Sequence, residues 1–143
     1  MTSTNRPKVA FWIIAISALI WNLMGVMAYL DQAYTTDEAK ALLTEAKKVL
    51  YDNVPIWVTA AFAIAVFGGV LASIALLMRK QIAKTLFLVS LIGMLAQMVY
   101  NFFISGAIDD YGPAEIIMST MVIVIGVYLY LFSKKSIING WLN

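Results

Sequence analysis

Cysteine and histidine are both absent from these 143 residues, and charge is scarce. Without cysteine there is no disulfide, no thiolate metal ligand and no thiol nucleophile. Without histidine the usual general base and the commonest metal ligand are missing as well. Charged residues make up 13% of the chain, where a soluble globular domain carries about 25%. Hydrophobic residues reach 62%. The net charge of +2 is small, and no basic stretch is interleaved with aromatics as a nucleic-acid groove requires. These shortages argue against nucleic acid, metals and cofactors, and they point to lipid as the solvent. The length suits one domain.

The apolar residues are gathered into four long uncharged runs, each long enough to cross a bilayer as a helix. They cover residues 9–30, 54–78, 85–108 and 116–133, and none contains Asp, Glu, Lys or Arg. The first run is longer than the apolar core of about 7–15 residues found in a signal peptide, so a retained anchor is expected.

Lysine and arginine set the expected orientation. Arg6 and Lys8 precede the first run, Arg79, Lys80 and Lys84 join the second to the third, and Lys134 and Lys135 follow the fourth. All eight acidic residues fall in the other connections: Asp31, Asp37, Glu38, Glu45, Asp52, Asp109, Asp110 and Glu115. Only Lys40, Lys47 and Lys48 are basic there. The expectation is an all-α, antiparallel four-helix transmembrane bundle with both termini cytoplasmic, forming one domain over 1–143.

The connection after the first run has its own pattern. Thr35 and Glu38 have capping-box spacing, and Ala39, Leu42, Leu43, Ala46, Val49 and Leu50 recur at helical period. An amphipathic surface helix over about 36–51 follows from this, serving as a connector or as a lid over an outward-facing cavity. Near the other end, Trp141, Trp12 and Tyr130 suit the headgroup layer.

In lipid, helices associate through small residues and interhelical hydrogen bonds. Ala61, Ala65, Gly69 and Ser73 form a small-residue stripe at i, i+4 on the second run. Gly93, Gln97, Asn101 and Ser105 repeat the spacing on the third, with Gly93 a close-packing position and the amides polar. Two amides one turn apart seldom face hydrocarbon, because their donors and acceptors would go unpaired. Asn22 and Gln97 fall at similar depths, Thr59, Ser119 and Thr120 occupy the outer third, and Trp21, Trp57 and Tyr100 sit among these polar residues in sequence. Two readings stay open: the amides clip helices together, or they line a cavity for a neutral polar solute against aromatic faces. With no ionisable group inside a span, a proton relay, a voltage sensor and an enzyme are not expected.

Asn5-Arg6-Pro7-Lys8, the string Trp21 to Tyr29 and the string Ala63 to Gly69 carry a resemblance, as do Gln97 to Ser105 and the ending Ser133 to Leu142. In this order they resemble a family of small four-span bacterial inner-membrane proteins often labelled sugar transporters. The resemblance implies a bacterial cytoplasmic membrane and a shared fold. Its recurring Trp-Asn and Tyr-Asn motifs coincide with Trp21, Asn22, Tyr100 and Asn101.

The function expected from all this is transport of a small neutral, sugar-like solute, with Asn22, Gln97 and Asn101 as polar contacts. One protomer has little room for a solute pathway, so a homo-oligomer is expected to build it. The competing expectation is a non-catalytic subunit of a larger membrane complex, assembling through the small-residue faces.

Overall fold

The structure is a computed structural model that describes residues 6–45, 48, 52–104 and 112–143. Helix α1 is Val9–Ala33, α2 is Asp37–Ala41, α3 is Ile56–Leu77, α4 is Ile82–Val99 and α5 is Pro113–Ile138. Helix α4 runs on into a π-helical turn, Tyr100–Ile104. Among the described residues there is no strand. Four of the helices are long and apolar enough to cross a membrane: α1, α3, α5, and α4 together with its π turn. The chain is thus of the class of multi-pass membrane proteins, as four such helices suggest.

The helix bounds differ from those expected at points where charge alone was the guide. Helix α4 begins at Ile82 and takes Lys84 into its first turns, because a long lysine stem can lie along a helix while its ammonium reaches water. Helix α5 likewise carries Lys134 and Lys135 and continues to Ile138. Pro113 stands at its first turn, where a missing N–H costs nothing. There the Glu115 carboxylate accepts a 2.9 Å bond from the Gly112 N–H. Residues 105–108, expected in the third span, lie outside the described residues, as do Asp109 and Asp110.

The expected surface helix is interrupted. Thr36, one residue later than expected, is the cap: its hydroxyl accepts from the Ala39 N–H at 3.2 Å. Thr35 instead donates back to the Asp31 carbonyl at the end of α1. Leu42 and Leu43 then bond back three residues, to Ala39 and Lys40, which tightens and ends α2 after Ala41. Leu42 is 89% exposed, so the apolar stripe does not close on the chain here. Residues 46, 47 and 49–51 of that stretch lie outside the described residues. An ion pair, Lys40 Nζ to Asp52 Oδ1 at 2.9 Å, ties α2 to the approach of α3. The Asp52 hydrogen bond and charge raise the Lys40 pKa above its ordinary value. The pair therefore persists through neutral pH and fades on this side only as pH rises through that raised value; being exposed, it adds little stability.

Helix α3 is the hub. Of its most apolar stretch 44% is buried, against 17% for α1 and 11% for α5. It packs most extensively on α4 and next on α1, while α5 packs on α4. The stripe explains this double contact. Positions four apart advance by about 40° around a helix of 3.6 residues per turn, so a row that starts facing one neighbour ends facing another. At Ala61 and Ala65 the row meets Gly93 of α4: a Cβ on Gly93 would stand 2.8 Å from the Ala61 carbonyl oxygen. Ser90 of α4 donates to the Ala65 carbonyl alongside. By Gly69 and Ser73 the same row faces Asn22 of α1. All four stripe residues and Gly93 are buried between this chain's own helices.

One end of the molecule is a dry core. Phe11, Ala15 and Ala18 of α1 join Ala72, Ala75 and Leu76 of α3, Ala83 and Phe87 of α4, Leu129 of α5, and Leu142. Both α3 and α5 finish here in the same wrapped C-terminal geometry, with six-to-one and five-to-two backbone bonds. In α3 these are Lys80 N–H to Ala75 and Arg79 N–H to Leu76; in α5 they are Trp141 N–H to Ser136 and Gly140 N–H to Ile137. The left-handed residue is Gly140 in one, with φ 75°, and Arg79 in the other, with φ 57°. Arginine carries a steric penalty at such a φ that glycine does not. Its Nε donates to the Trp141 carbonyl at 2.8 Å, which ties the two helix ends together. The backbone of Asn143 completes the join, donating to the Arg79 carbonyl at 2.7 Å and accepting from the Gln81 N–H at 2.9 Å. Trp141 packs edge-on against Phe11 at 5.8 Å, and Phe132 stacks on Phe11 at the same separation.

Candidate functional site

Away from that core α1 and α5 part, and a partly open cavity of about 370 Å³ lies between them over α3 and α4. Its walls come from the later half of α1, the earlier parts of α3 and α5, and the later part of α4. Phe62, Val66 and Val122 make up much of the wall, together with Met24, Met94, Met98 and Met118. The polar residues on it are Trp21, Asn22, Gln97 and Ser119. None carries a charge, so the cavity offers donors and acceptors to a neutral group and no counter-ion to a charged one.

Asn22 is committed to the fold. Its Nδ2 donates to the Ala18 carbonyl one turn back at 2.8 Å and to Ser73 Oγ across the interface at 3.3 Å. Ser73 in turn donates to the Gly69 carbonyl at 2.8 Å. Both amide protons are thus used, and the carboxamide sits directly on Gly69, where a Cβ would overlap Oδ1. The half-buried Gln97 amide makes no hydrogen bond to any described residue, and neither does the Ser119 hydroxyl. Two amides of similar depth therefore differ in role: one is a clip between helices, the other is uncommitted.

The remaining candidates lie elsewhere. Trp57 and Tyr100 meet edge to face at 5.7 Å, away from the cavity wall. The Tyr100 hydroxyl donates to the Asn53 carbonyl at 3.3 Å, anchoring the approach to α3. Asn101 follows in the π turn and does not line the cavity. Ser105 lies outside the described residues. Trp21 does line the cavity, beside Asn22.

Sequence reasoning missed the methionines. Four of the chain's eight line this one cavity, on three different helices. Nothing in their spacing shows it, because methionine serves equally as core filler. Phe62 was missed for a similar reason; its ring is held by Tyr29, edge-on at 5.6 Å, a contact between helices far apart in sequence.

Among the described residues no group of three acidic, histidine or cysteine side chains is placed to hold a metal. Comparison with protein-family models, with curated proteins and with solved structures gave no match to this chain.

Proposed function

We propose that this chain is a multi-pass protein of a bacterial cytoplasmic membrane whose cavity between α1 and α5 binds a small neutral ligand in the course of its transport. The observation that carries the proposal is the Gln97 amide, set in a mostly apolar wall with its donors and acceptor uncommitted. The amide is open to the cavity and not sealed in protein, so where hydrocarbon and not water fills that space it costs free energy unless something pairs with it. A ligand hydrogen-bonding to Gln97 and Ser119 would supply the pair, with Trp21 and Phe62 offering aromatic faces.

The spans are taken as antiparallel, with both termini cytoplasmic, on the strength of the lysine and arginine bias. The cavity would then open toward the outer half of the membrane, under the acidic connections. Assembly as a homo-oligomer or within a larger membrane complex is the second reading. The small-residue stripe is occupied within the chain, so such contacts would use the outer faces of α1 and α5. What favours this reading is their large apolar exposure, including Ile13, Ile20, Met27, Val124 and Leu131.

Two experiments test the proposal. A cysteine-free chain is a silent background for labelling in intact cells. Lys135→Cys should resist an impermeant maleimide until the membrane is broken, and Leu42→Cys should react at once; the reverse pattern would overturn the orientation. For the site, Gln97→Leu should leave the ligand-free melting temperature unchanged or raised, since it removes an unpaired polar group. In a screen of neutral solutes, a hit present at 100 times its Kd should stabilise the wild type by about 2.7 kcal/mol and the variant far less. A fall in ligand-free stability would make Gln97 a structural clip and sink the ligand reading.

A further inference from the structure

Resting on the cavity being a ligand site, we infer that its ligand is an amphiphile drawn from the bilayer: a hydrocarbon chain with one small uncharged head, entering between α1 and α5. A sugar-like solute would present hydroxyls on every side and need partners around it. The cavity instead offers few polar groups, with Gln97 and Ser119 uncommitted, set in methionine, phenylalanine and valine. The two protons of Asn22 are already given away. Beyond Gln97 and Ser119, the lining residues with polar side-chain atoms are Trp21, whose indole can only donate, and Asn22, whose carboxamide oxygen lies against Gly69. The rest is a good solvent for methylene groups. Methionine adds adaptability, since its unbranched thioether re-packs around chains of differing shape.

The place of the opening agrees with this chemistry. Helix α1 is held by α3, and α5 by α4, whereas α1 and α5 share no extensive interface. They meet through Phe11, Phe132 and Trp141 at the dry end and stand apart along the cavity. Beside the gap, Met24 of α1 and Met118 of α5 line the cavity and also expose their side chains. These residues belong to spans and would face hydrocarbon, so apolar side chains lead from the outer surface into the cavity wall. A chain can pass from bilayer to cavity without entering water, while a soluble sugar would have to shed its hydration at that surface.

Trp21 lines the cavity and reports its contents. In protein with Trp12→Phe, Trp57→Phe and Trp141→Phe, Trp21 is the only indole. Reconstituted in phosphatidylcholine nanodiscs, its fluorescence should be quenched by a few mole per cent of monoacylglycerol brominated in mid-chain. The same fraction of brominated lysophosphatidylcholine, with its charged head, should quench less than half as much. Filling the cavity by Val122→Phe, or from the opposite wall by Ala28→Phe, should remove most of the monoacylglycerol effect; having two filled variants guards against one failing to fold. Equal quenching by both lipids, or quenching unmoved in a folded filled variant, would mean contact with bulk lipid and would overturn the inference. If Trp21 answers instead to a soluble sugar, the site stands and the amphiphile falls. If it answers to neither, both fall.

Discussion

Replacing Gly93 by alanine is expected to be the most damaging single-methyl change in the chain. The added Cβ would stand 2.8 Å from the Ala61 carbonyl oxygen and 3.2 Å from the Ala65 nitrogen. Both are backbone atoms of α3, so no side chain can turn aside and the two helices must separate. They form the most extensive helix pair of the structure, and close van der Waals packing of this kind is what holds helices together in lipid. Overpacking costs about 1–3 kcal/mol and occasionally more; this position should reach or exceed the top of that range. Gly69→Ala should cost less. There the obstacle is the Asn22 carboxamide, which the new Cβ would overlap and which can swing away by giving up its bond to Ser73. Asn22→Ala should accordingly recover much of the Gly69→Ala loss, a coupling read from the double-mutant cycle. Gly68→Ala is the control: its nearest neighbour would be Ser90 Cβ at an ordinary 3.5 Å. Alanine's better helix propensity, worth up to about 1 kcal/mol, should then leave stability level or higher. Melting temperatures in one detergent should follow the order Gly68→Ala, Gly69→Ala, Gly93→Ala from highest to lowest. Equal losses at Gly68 and Gly93 would refute the close approach of α3 and α4.

The order of these glycines shows how far the sequence could be read. Four uncharged runs are visible in composition alone, because the bilayer demands length and apolarity and little else. Gly69 and Gly93 were recognisable as close-packing positions from their spacing. Which helix each one faces depends on the slow rotation of a four-residue row, and on the order in which helices pack, which no local pattern records. The same limit separated Asn22 from Gln97. Both are amides at matching depth, yet one has Ser73 opposite it and the other has a cavity. Asn101 lies off the cavity wall, in the π turn at Tyr100–Ile104, whose sequence, Tyr-Asn-Phe-Phe-Ile, carries no proline or glycine to announce it. The surface helix was expected as one piece and breaks at residues 42–44, because leucines at helical period favour a helix only while something covers them, and Leu42 has nothing over it.

The last residues of the chain carry the second large effect. By sequence, Trp141 suits the headgroup layer beyond the final span, and with its neighbour Leu142 in that layer too Leu142→Ala would be nearly silent. In the structure Leu142 is only 2% exposed, a member of the core that joins Phe11, Leu76, Phe87 and Leu129. Truncating a buried leucine to alanine costs about 2–5 kcal/mol, through reduced burial and the cavity left behind. This residue should fall within that range, because Arg79 and Gln81 hold the segment in place and prevent the core from collapsing onto the gap. Asn143 next to it provides a sharp contrast. Its contribution runs through its backbone, so Asn143→Ala should change little. Asn143→Pro removes the N–H that donates to the Arg79 carbonyl at 2.7 Å, and should loosen the segment despite the mildness of the change in bulk. Thermal unfolding in detergent reads all three, and limited proteolysis at the Lys134–Lys135 pair reads the loosening separately. Leu142→Ala and Asn143→Pro should both melt early and be cut early, with Asn143→Ala matching wild type. A silent Leu142→Ala would return the segment to the headgroup layer and leave α3 and α5 untied at that end.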